Sequence, residues 1–316
     1  MKKFCLLFLL AGALLLIGTT KGAGSDPSEN EEKSGEPTVL ASFKLVTPLP
    51  KVPENMMVYR TVDPKISRED VMRLMKAFDL EGRVDEREKQ FLVKTGDRVL
   101  ELFKEPGTGY IRFSDNARLT MEEEAENLPS EEEAVKRAQG FLKKNGLLPD
   151  NTAFRGVRYY EFATYDSIGK TTSEGKSGLA VGFGFQIEGI KVEGPGAKAG
   201  VVFGRDGQII GASRIWREIR PDKEMKIINP EEAFSIFKQR WPMEGAPEEL
   251  PRAEIRTQVN ISEVDVAYYA EPGCIPQSHV EPVYLFKGNY QTSGRVGERE
   301  IKESDYFEIM IPAVPK

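Results

Sequence analysis

Histidine and cysteine are almost missing from this sequence. Its 316 residues hold one histidine, His279, and two cysteines, Cys5 and Cys274. Zinc sites take three or four His or Cys ligands, so zinc here would have to rest on carboxylates. A triad needs a nucleophile, a base and an orienting acid held together in space. His279 is the one imidazole that could serve, with Cys274 upstream as a thiol, but Pro276 lies between them and cysteine-protease partners are normally distant in sequence. A loop position for His279 is the simpler reading. Also missing are the D-x-[DN]-x-[DN]-G spacing of a calcium loop and the G-x-x-x-x-G-K-[ST] spacing of a phosphate loop. Basic excess is absent too. Lys and Arg number 44 against 50 Asp and Glu, for a net charge of −6. Nucleic-acid phosphates and anionic lipid both call for basic patches, so no nucleic acid is expected as a partner. No catalytic residue, cofactor or metal site is assigned.

No apolar run reaches the roughly 20 residues that cross a bilayer as a helix. The longest, Phe4 to Ile17, follows Lys2 and Lys3 and precedes the small residues Gly22, Ala23 and Gly24. That is the layout of a secretory signal over residues 1–24, with cleavage near Gly24-Ser25. The alternative is an uncleaved segment that anchors the chain, the one membrane contact the sequence offers. Cys5 lies before the apolar run, so it is not an acylated lipoprotein cysteine. With the signal removed, Cys274 is alone and no intramolecular disulfide forms. Core burial must then stabilise the fold. Residues 25–38 (SDPSENEEKSGEPT) have no aliphatic or aromatic side chain and read as a disordered acidic linker.

What the sequence does have is a glycine-punctuated apolar stretch from Gly178 to Ile219. Leu179, Val181, Phe183, Phe185 and Ile187 alternate with smaller or polar residues. Val201 to Phe203 and Ile209 to Trp216 follow, and Asp206-Gly207 is a hairpin turn signal. The stretch predicts an antiparallel meander whose glycines serve bends. Three helices carry start signals. One begins at Ser67 with Asp70 following, and buries Val71, Leu74, Met75 and Phe78. A second begins at Ser130 with Glu133, a capping box, and buries Ala134, Ala138, Phe141 and Leu142. A third begins at Asn229-Pro230 with Glu232, turns Ala233, Ile236 and Phe237 inward, and stops at Pro242. Strands follow each helix. The prediction is α+β, repeated units of one helix packed on a small antiparallel sheet. Residues 39–120 form an N-terminal domain, 121–222 a central one and 223–316 a C-terminal one.

Ser130-Glu-Glu-Glu-Ala134 opens a helix that ends in Phe141-Leu142, and Gly146-Leu147-Leu148 closes it. Gly189-Ile190-Lys191-Val192, Gly194-Pro195-Gly196-Ala197, Val201-Val202-Phe203, Asp206-Gly207 and Ile209-Ile210 follow. This pattern resembles the PepSY-type unit of thermolysin-like protease propeptides and of secreted bacterial proteins without a protease. It is also similar to the Yyc-type extracytoplasmic proteins that restrain a cell-wall histidine kinase. Pro282-Val283-Tyr284-Leu285-Phe286 and Ile311-Pro312-Ala313 extend the likeness, which covers roughly residues 130–315. No protease domain follows, so the resemblance implies a binding or regulatory module and supplies no catalytic residue.

The expected function is a secreted, non-enzymatic protein- or peptide-binding protein of the cell envelope, with an extracytoplasmic protein or peptide as partner. An exposed sheet edge or a helix–sheet groove would do the binding. The residues that touch the ligand are unknown from sequence. The rival is a carboxylate-dependent hydrolase of an envelope polymer, for which Glu161, Glu188 and Glu193 are the candidate acids. Glu122, Glu123, Glu124 and Glu126 could gather divalent ions but read more simply as a solvated charge run. The aromatics Tyr159, Tyr160, Phe162, Tyr165, Tyr268 and Tyr269 read as core and rim, with a peptide- or sugar-gripping row as the alternative.

Overall fold

The computed structural model describes residues 39–120, 123–245, 255–296 and 299–315. The signal segment 1–24, the linker 25–38 and Glu122 lie outside them. In chain order the elements are β1 (Val39–Leu45), β2 (Asn55–Thr61), α1 (Arg68–Ala77), β3 (Val84–Glu86), β4 (Gln90–Thr95), β5 (Arg98–Phe103), β6 (Tyr110–Asp115), α2 (Asn116–Leu119) and α3 (Glu131–Lys144). Then come β7 (Thr152–Tyr165), β8 (Thr171–Ile187), β9 (Ile190–Glu193), β10 (Lys198–Phe203), β11 (Ile209–Ile215), β12 (Ile219–Lys226), α4 (Pro230–Gly245), β13 (Ile255–Tyr269), β14 (His279–Val296) and β15 (Arg299–Pro312).

The expected α+β fold of repeated units, each one helix on a small antiparallel sheet, does not form. The protein is mainly β, 52% strand and 17% helix, with mixed strand pairing. The reason is visible in the packing of the first two helices. Phe78, the C-cap of α1, stacks on Phe113 of β6 with ring centroids 4.1 Å apart and tilts against Phe141 of α3 at 5.3 Å. Helices assigned to separate repeats therefore share one core.

The chain divides into two compact units. The first contains the described residues up to Glu54, Ile227–Val266 and those from Val283 onward. Here β1 runs parallel to β13, and β14 pairs antiparallel with β15. Helix α4 buries Ala233, Phe237 and Trp241. Phe237 stacks on Phe286 at 4.8 Å and meets Phe43 edge-on at 5.9 Å, and Trp241 meets Phe307 at 4.8 Å. Asn229 caps the helix as expected, its Oδ1 accepting from the Glu232 amide at 2.8 Å. The helix does not stop at Pro242 but continues to Gly245. A proline in the closing turn forfeits its own N–H bond, and that turn forms around the loss.

The second unit is Asn55–Lys226 with Ala267–Pro282. Its centre is the predicted meander. β8 pairs antiparallel with β7 on one side and with β9 and β10 on the other, and β10, β11, β6, β5, β4 and β3 follow in order. Leu179, Val181, Phe183, Phe185 and Ile187 all fall on one buried face, as period-2 alternation requires. Helix α3 lies on β8 and β10. The full capping box forms at Ser67 and Asp70, where each residue's amide donates to the other's side chain. At Ser130 only half of it forms: Ser130 Oγ accepts from the Glu133 amide, while the Glu133 carboxylate turns to Arg137 at 3.3 Å. Asp206 and Gly207 both adopt positive φ, 56° and 64°, as a tight turn needs.

Candidate functional site

Cys274 and His279 do not combine. His279 Nδ1 lies 3.1 Å from Ser278 Oγ and its Nε2 3.4 Å from Asp222 Oδ2 on β12. Cys274 is in the preceding loop, half-buried. That loop is gathered around Arg217, which is 1% exposed. Its Nε donates to the Gly107 carbonyl, and its terminal nitrogens donate to the carbonyls of Glu271, Pro272 and Ile275. Burial pushes the guanidinium down to about 10, with Glu271 acting against the shift, so it stays charged at neutral pH. Gly196 abuts this junction. A Cβ there would sit 1.8 Å from the Glu271 carbonyl oxygen, so its glycine answers a close approach.

The three candidate carboxylates also part company. Glu161 stands opposite Lys176 across β7 and β8. Glu188 occupies the β8–β9 turn, where it and Gly189 take φ of 51° and 83°. Its carboxylate neighbours the buried Tyr59, whose hydroxyl is pushed to about 12 by burial first and then by Glu188. Glu193 is held by Arg155 at 2.9 Å. Glu123 and Glu126 lie 3.9 and 4.0 Å from Arg205. Among the described residues no group of three metal-ligating side chains forms. In the first unit, a polar hollow of about 690 Å³ is lined by Ser42, Thr257, Thr292, Ser293, Lys302 and Glu303 among others, with Thr257 and Thr292 hydroxyls 3.1 Å apart.

The aromatics divide by face. Tyr159 lies on the helix side of β7 with Lys176 Nζ 3.6 Å from its ring. Tyr160 points to the other side, over Gly178. Phe162 covers Gly175, and Tyr165 is 64% exposed near the hairpin tip. Tyr268 and Tyr269 are tied into the unit by bonds to the Met57 carbonyl and to Glu271.

What the sequence reading missed is the meander's second face. Directly paired residues run Gly156, Gly182, Gly200, Ser213, Arg112 and Glu101 from β7 to β5. Gly182 and Gly200 are mid-strand, so the expectation that these glycines serve bends is corrected. A Cβ on Gly182 would meet only the Gly156 carbonyl oxygen, 3.9 Å away. Basic side chains border this bare floor. The Arg155 guanidinium lies over Gly184, the residue paired with Lys198. Arg158 pairs with Ala180, and Arg112 donates to the Tyr110 hydroxyl at 3.4 Å. Burial holds the Lys198 amine below its ordinary value, and Arg155 pushes in the same direction. A glycine inside a strand is a known sign of close approach or open floor; that signal was available in Gly182, Gly184 and Gly200.

The same face ends at β7. This strand runs 14 residues and, among the described residues, pairs only with β8. Its register is unbroken from Gly156 to Tyr160, with shifts on either side. Phe154, 55% exposed, Val157 and Tyr159 share its helix-side face.

No family model matches the chain, and no curated relative matches it. Among solved structures it is similar to an uncharacterized protein from Eubacterium rectale ATCC 33656, known from a crystal structure at 1.45 Å. The two are 10% identical over 87% of this chain and 88% of that one, with a TM-score of 0.46.

Proposed function

We propose that this is an exported, non-enzymatic binding protein of the cell envelope that captures an extended segment of a partner protein along β7. The observation that carries the reading is the outer edge of β7: from Gly156 to Tyr160 it is a regular strand with, among the described residues, a neighbour on one side only. An edge of that kind offers N–H and C=O groups to an incoming strand. Export rests on the residue 1–24 signal. Among the described residues no helix is long and apolar enough to cross a membrane. The separate partners of Glu161, Glu188 and Glu193 make binding the better-supported reading than two-carboxylate hydrolysis.

The test is crosslinking in native envelopes through a photoreactive residue at Tyr160, in the regular segment of β7, with Glu132 on the exposed side of α3 as control. A defined partner adduct from β7 and none from α3 is expected. Equal labelling from both positions, or no adduct from either, would sink the reading.

A further inference from the structure

The edge of β7 is not chemically neutral, and its two faces differ. On the helix side it presents Phe154, Val157 and Tyr159. On the other side Arg158 follows Gly156, whose missing side chain leaves the floor open as far as Gly182. Basic residues on this face include Arg112, Arg155, Arg158, Lys198 and Lys191, the last opposite Gln186. Two acids belong to it as well. Glu193 is bound to Arg155 at 2.9 Å, and Glu101 stands directly opposite Arg112 in register. Arg158 and Lys198 have no hydrogen bond or ion pair among the described residues. The one acid on β7, Glu161, faces Lys176. So the face carries surplus positive charge on a chain whose total is −6.

We infer that the segment captured along β7 is acidic and alternating, with apolar side chains toward Phe154 and Val157 and a carboxylate paired to Arg158. The inference rests on the reading of β7 as a docking edge and says what docks there. Strand geometry sets the pairing. Adjacent strands lie about 4.8 Å apart, and directly opposed side chains touch. A Glu opposite Arg158 on an added strand therefore reaches the guanidinium. Lys198 sits two strands further in, too far to touch the added strand. At three strand spacings, about 14 Å, it lies beyond the screening length of about 10 Å at 0.1 M salt and adds little. Alternation follows from the strand period of two, which sends successive side chains to opposite faces.

The experiment uses the full chain and three fluorescein-labelled peptides of about eight residues, with repeats of Glu-Val, Gln-Val and Lys-Val. Fluorescence anisotropy gives affinity, and hydrogen exchange reads protection of the Gly156–Tyr160 amides. Glu-Val is expected to bind at least about tenfold more tightly than Gln-Val, with Lys-Val weakest. Arg158→Gln should bring Glu-Val to the Gln-Val level, Lys198→Gln should weaken it by less than about twofold, and Lys65→Gln on a distant loop should change nothing. Bulk electrostatics of a −6 chain would rank Lys-Val first, so the order itself separates a local site from a general field. If all three peptides bind equally and the β7 amides gain protection, the edge reading stands and the acidic inference falls. If none binds, or if Glu-Val binds without protecting β7, both fall.

Discussion

Replacing Arg217 by methionine keeps most of the side-chain volume and removes every donor. The carbonyls of Glu271 and Ile275 then lose the group that satisfies them, whereas those of Gly107 and Pro272 keep the Gln277 and Ile275 amides. An orphaned buried acceptor costs about 1–3 kcal/mol. Water can reach part of the junction, because Cys274 is half-exposed, so the low end applies to each. Burial of the guanidinium is itself unfavourable, as its lowered proton affinity shows, and methionine escapes that cost. The net expected loss is about 2 kcal/mol. For a unit of this size each kcal/mol moves Tm by about 2–4 °C, which predicts a fall of roughly 4–8 °C. Arg217→Lys keeps the charge but cannot spread its donors as a planar fork, so it should fall between. Thermal melts by circular dichroism, with limited proteolysis of the 270–278 loop, make the assay. A methionine variant that melts within about 2 °C of the parent and resists protease equally would refute the argument that this cation holds the loops together.

Further outcomes follow from the same kind of reasoning. Tyr59, Tyr269 and Tyr284 are each pushed up to about 12, chiefly by burial. The unfolded chain releases these protons near 10 while the folded chain holds them, so stability should fall as pH rises from 10 toward 12. Parallel titration of phenolate absorbance and ellipticity should show tyrosine ionisation coinciding with unfolding; ionisation at 10 without unfolding would contradict it. Asp70 is partly buried, which alone would raise its pKa, but the Ser67 amide and hydroxyl and Arg73 outweigh this and hold it below 3.8. Its contribution is present above pH 3.8 and is lost as pH falls through the folded value. Asp70→Asn should therefore cost about 1 kcal/mol at neutral pH and progressively less in acid, measured by urea unfolding across pH. Gly182→Ala should be neutral or slightly stabilising, since its Cβ meets nothing closer than 3.9 Å, whereas Gly288→Ala places a Cβ 1.9 Å from the Asn260 carbonyl oxygen and should cost about 2–3 kcal/mol. Equal melting of the two variants would count against the packing described.

Elements with one wet and one dry face were readable in the sequence. Leu179 to Ile187 alternates because β8 is buried on the α3 side only, and Val71, Leu74 and Met75 keep helical spacing because α1 buries one stripe. Where both faces meet water the pattern vanishes. The outer half of β8, Thr171 to Lys176, and nearly all of β12 are exposed or polar, so neither announces a strand. Long-range pairing was hidden for another reason. The parallel contacts of β1 and β9 with β13 link residues far apart in sequence, and local propensity does not encode them. That hidden pairing is why consecutive helix-then-strand segments looked like repeats. The candidate site was missed through the glycines: bends and bare strand floors use the same residue, and only register separates Gly182 from Gly189.

The unit's other sheet edges show what an edge looks like when pairing is discouraged. β12 carries Pro221, then Asp222, Lys223 and Glu224, and its register slips between Pro221 and Lys223. Proline removes a donor, and alternating charge and a slip spoil any incoming ladder. β3 is three residues long, too short to template a strand. β7 has no proline between Thr152 and Tyr165. Its register shifts flank the Gly156–Tyr160 segment and leave that segment regular. A bulge at each end confines pairing to about five residues, near the usual strand length. So short a ladder makes few main-chain bonds, and each contributes only about 1 kcal/mol net. Affinity and choice of partner must therefore come from the side chains on either face, which places the burden on Val157 and Tyr159 toward the helix and on Arg158 over the open floor.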